Sequence, residues 1–451
     1  MTHRSCRMRL AAGVVASIIS IGHGVVVGHA QTTAPPVSAS IDPVRGQSIE
    51  ELVALALRQA PSALSIRARA GVAQGELDQA GRRPNPALSF ERRDEVGGMD
   101  HQTAVGFTVP LDLFRRSARL AVAERSVELA RHDVAERERQ LATEVRLLTV
   151  RLLAEIRQLQ VQQDVAAANQ TTVELIAARV ESGATPAVER DGARIEAQLS
   201  EVDVRRQRAS VETAAAALRS AVGLAPADPL VLRETLEEVA QRTASATGAR
   251  DLTGERALQA IDVRSDVRKA EAEIAREAAR QELLRREARA DVSVVGSYMR
   301  MAAGFPQFGV TPTGALTPIR AAFDTVAVGA MVVLPWRNRN QGAIAAAGAA
   351  AEAARHERDA LRIGALNELA ALQQREALAR AALSLFDGGL RDLAATNLAI
   401  IRESYQLGRA TLLEVQAESR RRLGVEAAYG AALLELMESR IALSGALGET
   451  R

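Results

Sequence analysis

From Ser117 to Ser182 the chain runs for 66 residues without a glycine or a proline. Helix interiors exclude these two residue types, because proline removes a backbone donor and glycine loses the most entropy on ordering. At about 1.5 Å per residue the stretch makes a rod of roughly 100 Å, longer than an ordinary compact domain. Leu120, Val127, Val134, Leu141 and Leu148 recur every seven residues along it, and Val145, Leu152, Ile156 and Leu159 continue the seam. That spacing is the signature of a coiled-coil face. Gly183 stops the rod. Thr185 and Pro186 then restart a helix as N-cap and first helical residue, and this helix returns to about Gly223.

The second half repeats the plan. A helix is expected from about Arg264 to Arg289, followed by the strand-like DVSVVGSYM (291–299), a long loop and TVAVGAMVVL (325–334). A second long helix then reaches Leu407, Gly408 breaks it, and a return helix ends near Gly445. Pro110 and Pro335, Gly183 and Gly408, Glu189 and Glu414, and Gly223 and Gly448 are each 225 residues apart. Four punctuation marks at one offset make the chain an internal duplication. Only the second rod carries a glycine pair, Gly388-Gly389, which is expected to bend it.

The rods account for the rest of the division. Residues 1–30 read as a cleaved signal peptide: Arg4, Arg7 and Arg9 precede an apolar run to Val27, and Gly28-His29-Ala30 supplies small residues for cleavage. The single cysteine, Cys6, lies among those arginines, so it is misplaced for a lipid anchor and the mature chain has no disulfide. Residues 31–47 read as a flexible linker. The first repeat covers 48–223, opening with a capping box at Ser48 and Glu51 and carrying a hairpin at about 86–109 that ends at Pro110. Residues 224–255 are a connector, 256–448 the second repeat with its hairpin at about 291–334 and Pro335 behind it, and 449–451 a tail.

Aromatic residues are only 2% of the chain, and eight of the eleven lie in the two hairpin regions: Phe90, Phe107, Phe114, Tyr298, Phe305, Phe308, Phe323 and Trp336. Strands favour aromatics in any protein, but aromatic belts also ring membrane β-barrels. Val105, Phe107 and Val109 alternate with Ala104, Gly106 and Thr108, as suits a strand with one face in lipid. A sheet in lipid must close, since unpaired edge groups there cost several kcal/mol each. Single-chain barrels begin at about eight strands, so if these hairpins enter a membrane, several copies must share one barrel.

On these residues the chain resembles the TolC-type outer-membrane efflux proteins. The match is carried by RRPNPALSFE (82–91), VGFTVPLDLF (105–114), the pair ESGATPAVE (181–189) and QLGRATLLE (406–414), and LSGALG (443–448). The first two motifs look most like the CzcC-like subgroup, which serves heavy-metal efflux. The resemblance implies a mainly α chain with a small β part, built as a duplicated helix–hairpin–long-helix repeat. Three copies would form a 12-stranded outer-membrane β-barrel that continues into a periplasmic α-helical barrel. The implied partners are two further copies, outer-membrane lipid, a periplasmic adaptor protein and, through it, an inner-membrane RND-type pump. It also implies that Gly183 and Gly408 are helix-hairpin tips touching the adaptor, that Glu189, Glu414 and Tyr405 line the periplasmic entrance, and that Pro110 and Pro335 mark strand-to-helix junctions. Ala410 and Ala417 depart from the basic and acidic gate residues of other members.

Plain capping also explains the tips, since Thr411 and Glu414 form a capping box and Glu189 lies in a first helical turn. A ring of such glutamates around a constriction would favour cations. The sequence contains no catalytic constellation, phosphate loop or metal-ligand spacing, so neither an enzyme nor a resident cofactor is expected. His101, His132 and His356 are far apart; His132 and His356 sit in long charged helices, and His101 lies near Glu95 and Asp100 in the first hairpin loop. A formal net charge of +2, with arginines interleaved among glutamates, gives no basic patch for nucleic acid. Two other readings remain open: a duct for drugs or other solutes, and a soluble periplasmic coiled-coil adaptor or scaffold.

Overall fold

The computed structural model of the chain describes residues 39–96, 98, 100–246 and 255–448. The expected signal peptide, the linker up to residue 38, the connector segment 247–254 and the tail 449–451 lie outside the described residues. In chain order the elements are β1 (Ala39–Ile41), α1 (Ile49–Gln59), α2 (Pro61–Ala80), β2 (Ala87–Asp94), β3 (His101–Pro110), α3 (Arg116–Glu181) and α4 (Ala187–Val222). After them come β4 (Leu230–Leu232), α5 (Leu236–Ala246), α6 (Glu255–Asp262), α7 (Ser265–Glu287), β5 (Asp291–Val310) and β6 (Leu316–Val333). The chain finishes with α8 (Gln341–Leu385), a π-helical turn (Phe386–Leu390), α9 (Arg391–Gln406) and α10 (Leu412–Ala446).

The uninterrupted stretch becomes one helix of 66 residues. Its lower seam, Leu141, Val145, Leu152, Ile156 and Leu159, is buried against α4 and α10, whereas Leu120 and Val134 stay half-exposed where α3 packs on α2 and α7. The second rod is not continuous. At Gly389 the backbone turns to φ 98° and inserts the π-helical turn between α8 and α9. Phe386 and Tyr429 close over this turn edge-to-face at 5.8 Å, and the Arg391 guanidinium stacks on the Tyr429 ring at 4.1 Å.

Parts of the expected linker and of the connector form regular structure. Within the expected linker, Ala39–Ile41 forms β1 and pairs in parallel with β4 from the expected connector. Leu230, Leu232, Leu236 and Val239 of the connector are buried together with Leu52 and Ala56 of α1 and Leu218 of α4. The Ala, Pro, Thr and Gly content of 224–255 hid this short run of apolar residues, which has a rod surface to pack on. At the tip between α3 and α4, Pro186 is the N-cap itself, without a side-chain cap bond, so Thr185 does not take that role.

The second hairpin also differs from expectation. Instead of a long loop after residue 299, β5 extends for 20 residues and β6 for 18, paired almost throughout and joined by a tight turn at Thr311–Ala315. The four long strands form one antiparallel sheet in the order β2-β3-β5-β6. Its outer part, beyond the Ala302–Ala322 pair, is a two-stranded ribbon carrying a register shift between Phe305 and Phe308.

A buried charge cluster fixes the end of α10 against the rods. Arg139 donates to the Gly445 carbonyl at 2.8 Å and Arg264 to the Ala446 carbonyl at 3.1 Å, so two guanidinium groups satisfy carbonyls at a helix C-terminus. Arg139 is paired with Glu136, which also accepts from Ser265, and Arg264 is paired with Asp266. Burial pushes the Glu136 carboxyl up, but hydrogen bonds from Arg139 and Ser265 outweigh it and hold the group below the usual range. The same balance, with Arg264 as donor, depresses Asp266. Carboxylates depressed in the folded state contribute stability that is complete above their unfolded pKa of about 4 and is lost as pH falls through the lower folded value. Glu136→Gln is therefore expected to cost about 3 kcal/mol at neutral pH and to flatten the fall in melting temperature on acidification. An acid scan of both proteins by circular dichroism checks this; parallel curves would remove Glu136 from the account.

Candidate functional site

Each face of the sheet has its own chemistry. Cross-strand partners point to the same side, so the register sorts the residues. One face carries Leu88, Phe107 and Val328 in one row and Phe90, Val105, Tyr298 and Val326 in the next. The other carries Ser89, Gly106, Ser297 and Ala327 in one row and Thr108, Val295 and Gly329 in another. In the single chain the apolar face has no cover: Leu88, Phe90, Val326 and Val328 are 79%, 71%, 75% and 80% exposed. The Phe107 ring lies directly over Gly296, where an added Cβ would come within 2.4 Å of it, so the belt is packed laterally although it is bare outward. From Val326 in β6 to Leu334 just past its end, apolar positions span nine residues, the length a tilted strand needs to cross a bilayer. Strands β2 and β6 are both open edges.

The junctions below the sheet are built alike in both repeats. Pro110 is the last residue of β3, paired with Ser293, and Pro335 lies two residues past β6. Each is followed by a non-glycine residue in the left-handed region, Asp112 at φ 47° and Asn340 at φ 56°. Asp112 is held there by Arg119 at 2.8 Å, which also donates to the carbonyls of Ala80 and Arg82. Sequence reading singled out the prolines and missed Asp112 and Arg119. Their signal was an aspartate seven residues ahead of an arginine at the mouth of a helix.

At the opposite end lie the two tips. Gly183 (φ 74°) and Gly408 (φ 72°) both take the left-handed conformation. Each closes its helix with the same pair of bonds: Gly183 N–H to Val180 O and Ala184 N–H to Arg179 O, and Gly408 N–H to Tyr405 O and Arg409 N–H to Ser404 O. This is the Schellman arrangement, which needs a residue without the Cβ penalty at the turn. A Cβ at either glycine would meet nothing within 4 Å, so the backbone accounts for the glycines and leaves their surroundings open.

Tyr405 is buried in a small core with Val173, Ile176, Ala193 and Val415. Its hydroxyl reaches Glu189 at 3.5 Å, the outer limit of a hydrogen bond. Burial first, then the nearby Glu189 charge, pushes the phenol above its usual range. Glu414 is not part of this group. It accepts from the Thr411 amide at 2.7 Å and hydroxyl at 3.0 Å, and these bonds hold its carboxyl below the usual range. Arg179, unnoticed in the sequence, ties the tips together: it stacks on the Tyr405 ring at 5.0 Å and donates to the carbonyls of Tyr405 and Gln406. It appeared there as one more arginine on a charged helix.

Among the described residues no helix is long and apolar enough to cross a membrane, which leaves a β-sheet crossing untouched. Also among them, no three His, Cys, Asp or Glu side chains converge as metal ligands would.

Residues 52–224 match the family of outer membrane efflux proteins. The fold extends the likeness to nearly the whole chain. A CusC crystal structure, described for folding and transmembrane channel formation, aligns at a TM-score of 0.71 and 14% identity over 89% of this chain and 92% of that one. The outer membrane protein VceC of Vibrio cholerae aligns at 0.66 and 19% identity over 89% and 96%. The open state of the Neisseria gonorrhoeae MtrE outer membrane channel aligns at 0.66 and 15% over 89% and 88%. The chain has the fold of these outer-membrane channel proteins. No curated protein matches it. Within this fold the sheet and the tips lie at opposite ends of the long helices.

The tip geometry predicts two unequal effects. Arg179→Ala removes both carbonyl bonds and the ring contact, and amide exchange in residues 404–409 should accelerate at least tenfold. Tyr405→Phe removes only the marginal bond to Glu189 and should leave exchange within about twofold, since a bond this long contributes little. Equal effects would show that Arg179 does not hold the tip.

Proposed function

We propose that the chain is the outer-membrane subunit of a tripartite efflux system, a passive exit duct that performs no catalysis. The observation that carries this reading is the four-stranded sheet with a bare apolar face, a second face whose central row is Ser89, Gly106, Ser297 and Ala327, and two open edges. Three copies would supply twelve strands and close the edges. Side chains fill the interior of an eight-stranded barrel, so twelve strands with serine, glycine and alanine facing inward suit an open lumen. The β3-to-α3 and β6-to-α8 junctions would carry each subunit into a helical wall in the periplasm. There Gly183 and Gly408 would present the tips to an adaptor protein, which would connect the duct to an inner-membrane RND-type pump.

Heavy-metal cations are the cargo we favour, from the likeness of RRPNPALSFE and VGFTVPLDLF to the CzcC-like subgroup. With no convergent ligands among the described residues, ions would pass without being held. At the entrance, Glu189 would contribute a carboxylate near Tyr405, and Glu414 one that stays ionised because its cap favours the charged form. Three copies would place six carboxylates around the opening, a ring that attracts cations.

The double substitution Glu189→Gln and Glu414→Gln should therefore reduce cation conductance of the purified channel in planar bilayers severalfold and lower its cation-to-anion permeability ratio. Unchanged conductance and selectivity would reject the ring.

A further inference from the structure

Beside the π-helical turn, α3, α5, α9 and α10 enclose a cavity of about 300 Å³. Four arginines line it: Arg157, Arg391, Arg402 and Arg422. The first two are already committed. Arg157 pairs with Glu237 at 2.6 Å and with Glu426 at 2.7 Å, and Arg391 pairs with Glu426 at 3.1 Å. The other two have no such partner. Among the described residues neither Arg402 nor Arg422 makes a hydrogen bond or an ion pair. Burial first, then the positive charge of Arg422, makes the charged form of Arg402 harder to keep than usual. The remaining carboxylate on the cavity wall is Asp164, so two uncommitted cations face one uncommitted anion.

Arg402 is half-buried and Arg422 exposed at the cavity mouth, and a half-buried cation beside a like charge is costly unless something else enters with it. Guanidinium groups are planar donors whose fork matches carboxylate and phosphate oxygens. Val161, Val165, Leu398 and Leu423 line the same cavity, so an apolar wall lies beside the paired charges. We propose that this cavity is a binding site for a small oxyanion, held between Arg402 and Arg422 by its carboxylate or phosphate group. The occupant bridges α9 to α10 just below the break in the second rod. It thereby couples the segment that leads to the Gly408 tip to its neighbour. The first rod has no counterpart of that break.

The test uses the full-length mature protein, purified in detergent, with inorganic phosphate and benzoate in separate calorimetric titrations at ionic strength fixed with sodium chloride. Saturable binding of either anion that weakens at least tenfold in Arg402→Gln/Arg422→Gln supports the site. The double variant without ligand should melt at the same temperature or higher, because the repulsion is gone. Arg402→Lys/Arg422→Lys keeps the charge but loses the fork, and should weaken binding severalfold; this variant decides the matter if the glutamine pair does not fold. Binding of neither anion, or binding equal in the lysine variant and the unaltered protein, overturns the proposal. So does a glutamine variant that binds normally but loses its association with other copies, since the arginines would then be serving a neighbouring chain.

Discussion

Backbone hydrogen bonds that one chain cannot complete govern this protein. Among the described residues, the sheet β2-β3-β5-β6 pairs its inner strands on both sides and leaves the outward edges of β2 and β6 without a neighbouring strand. In water such edges invite pairing with other chains. In lipid they are prohibitive, because no solvent replaces the missing bonds. The bare valines and phenylalanines on one face demand an apolar surrounding, while the open edges demand more strands. In the proposed function both demands are met together, by several copies closing one cylinder in a membrane. The rods, the junctions and the tips would then extend that cylinder.

Duplication supplies the two hairpins, and the departures from it are informative. Both tips end in the same Schellman turn and both strand exits use a left-handed residue, Asp112 or Asn340. The first rod is continuous through 66 residues, but the second breaks at Gly389 into a π-helical turn. Around that break Tyr429 gathers Phe386, Arg157 and Arg391, and Glu426 gathers the two arginines. One repeat has a continuous rod, whereas the other is interrupted by a packed π-helical turn.

The sequence made the rods, both tip glycines and the four-strand inventory legible, because each rests on a local rule. The long seam follows from heptad spacing, Gly183 and Gly408 from the cost of a Cβ at positive φ, and the hairpins from alternation. Where the outcome depended on tertiary partners, local rules failed. Ala39–Ile41 looked like linker because a three-residue strand means nothing until β4 lies beside it. Residues 300–324 looked like a loop because the glycines, prolines and charges there mask a ribbon stabilised by cross-strand bonds. Arg179, Arg157 and Arg139 looked like solvated charges, and only the fold shows each of them satisfying carbonyls or carboxylates on another helix. At the tips the Tyr405 hydroxyl comes within 3.5 Å of Glu189, while Glu414 is engaged in its own cap.

The claim on which the rest depends is that identical copies finish the sheet. Native mass spectrometry of the mature protein, released from detergent under gentle activation, counts the copies directly. Three chains per particle is the result expected from twelve strands around an open lumen. A water-soluble single chain, folded and stable without detergent, would contradict the account.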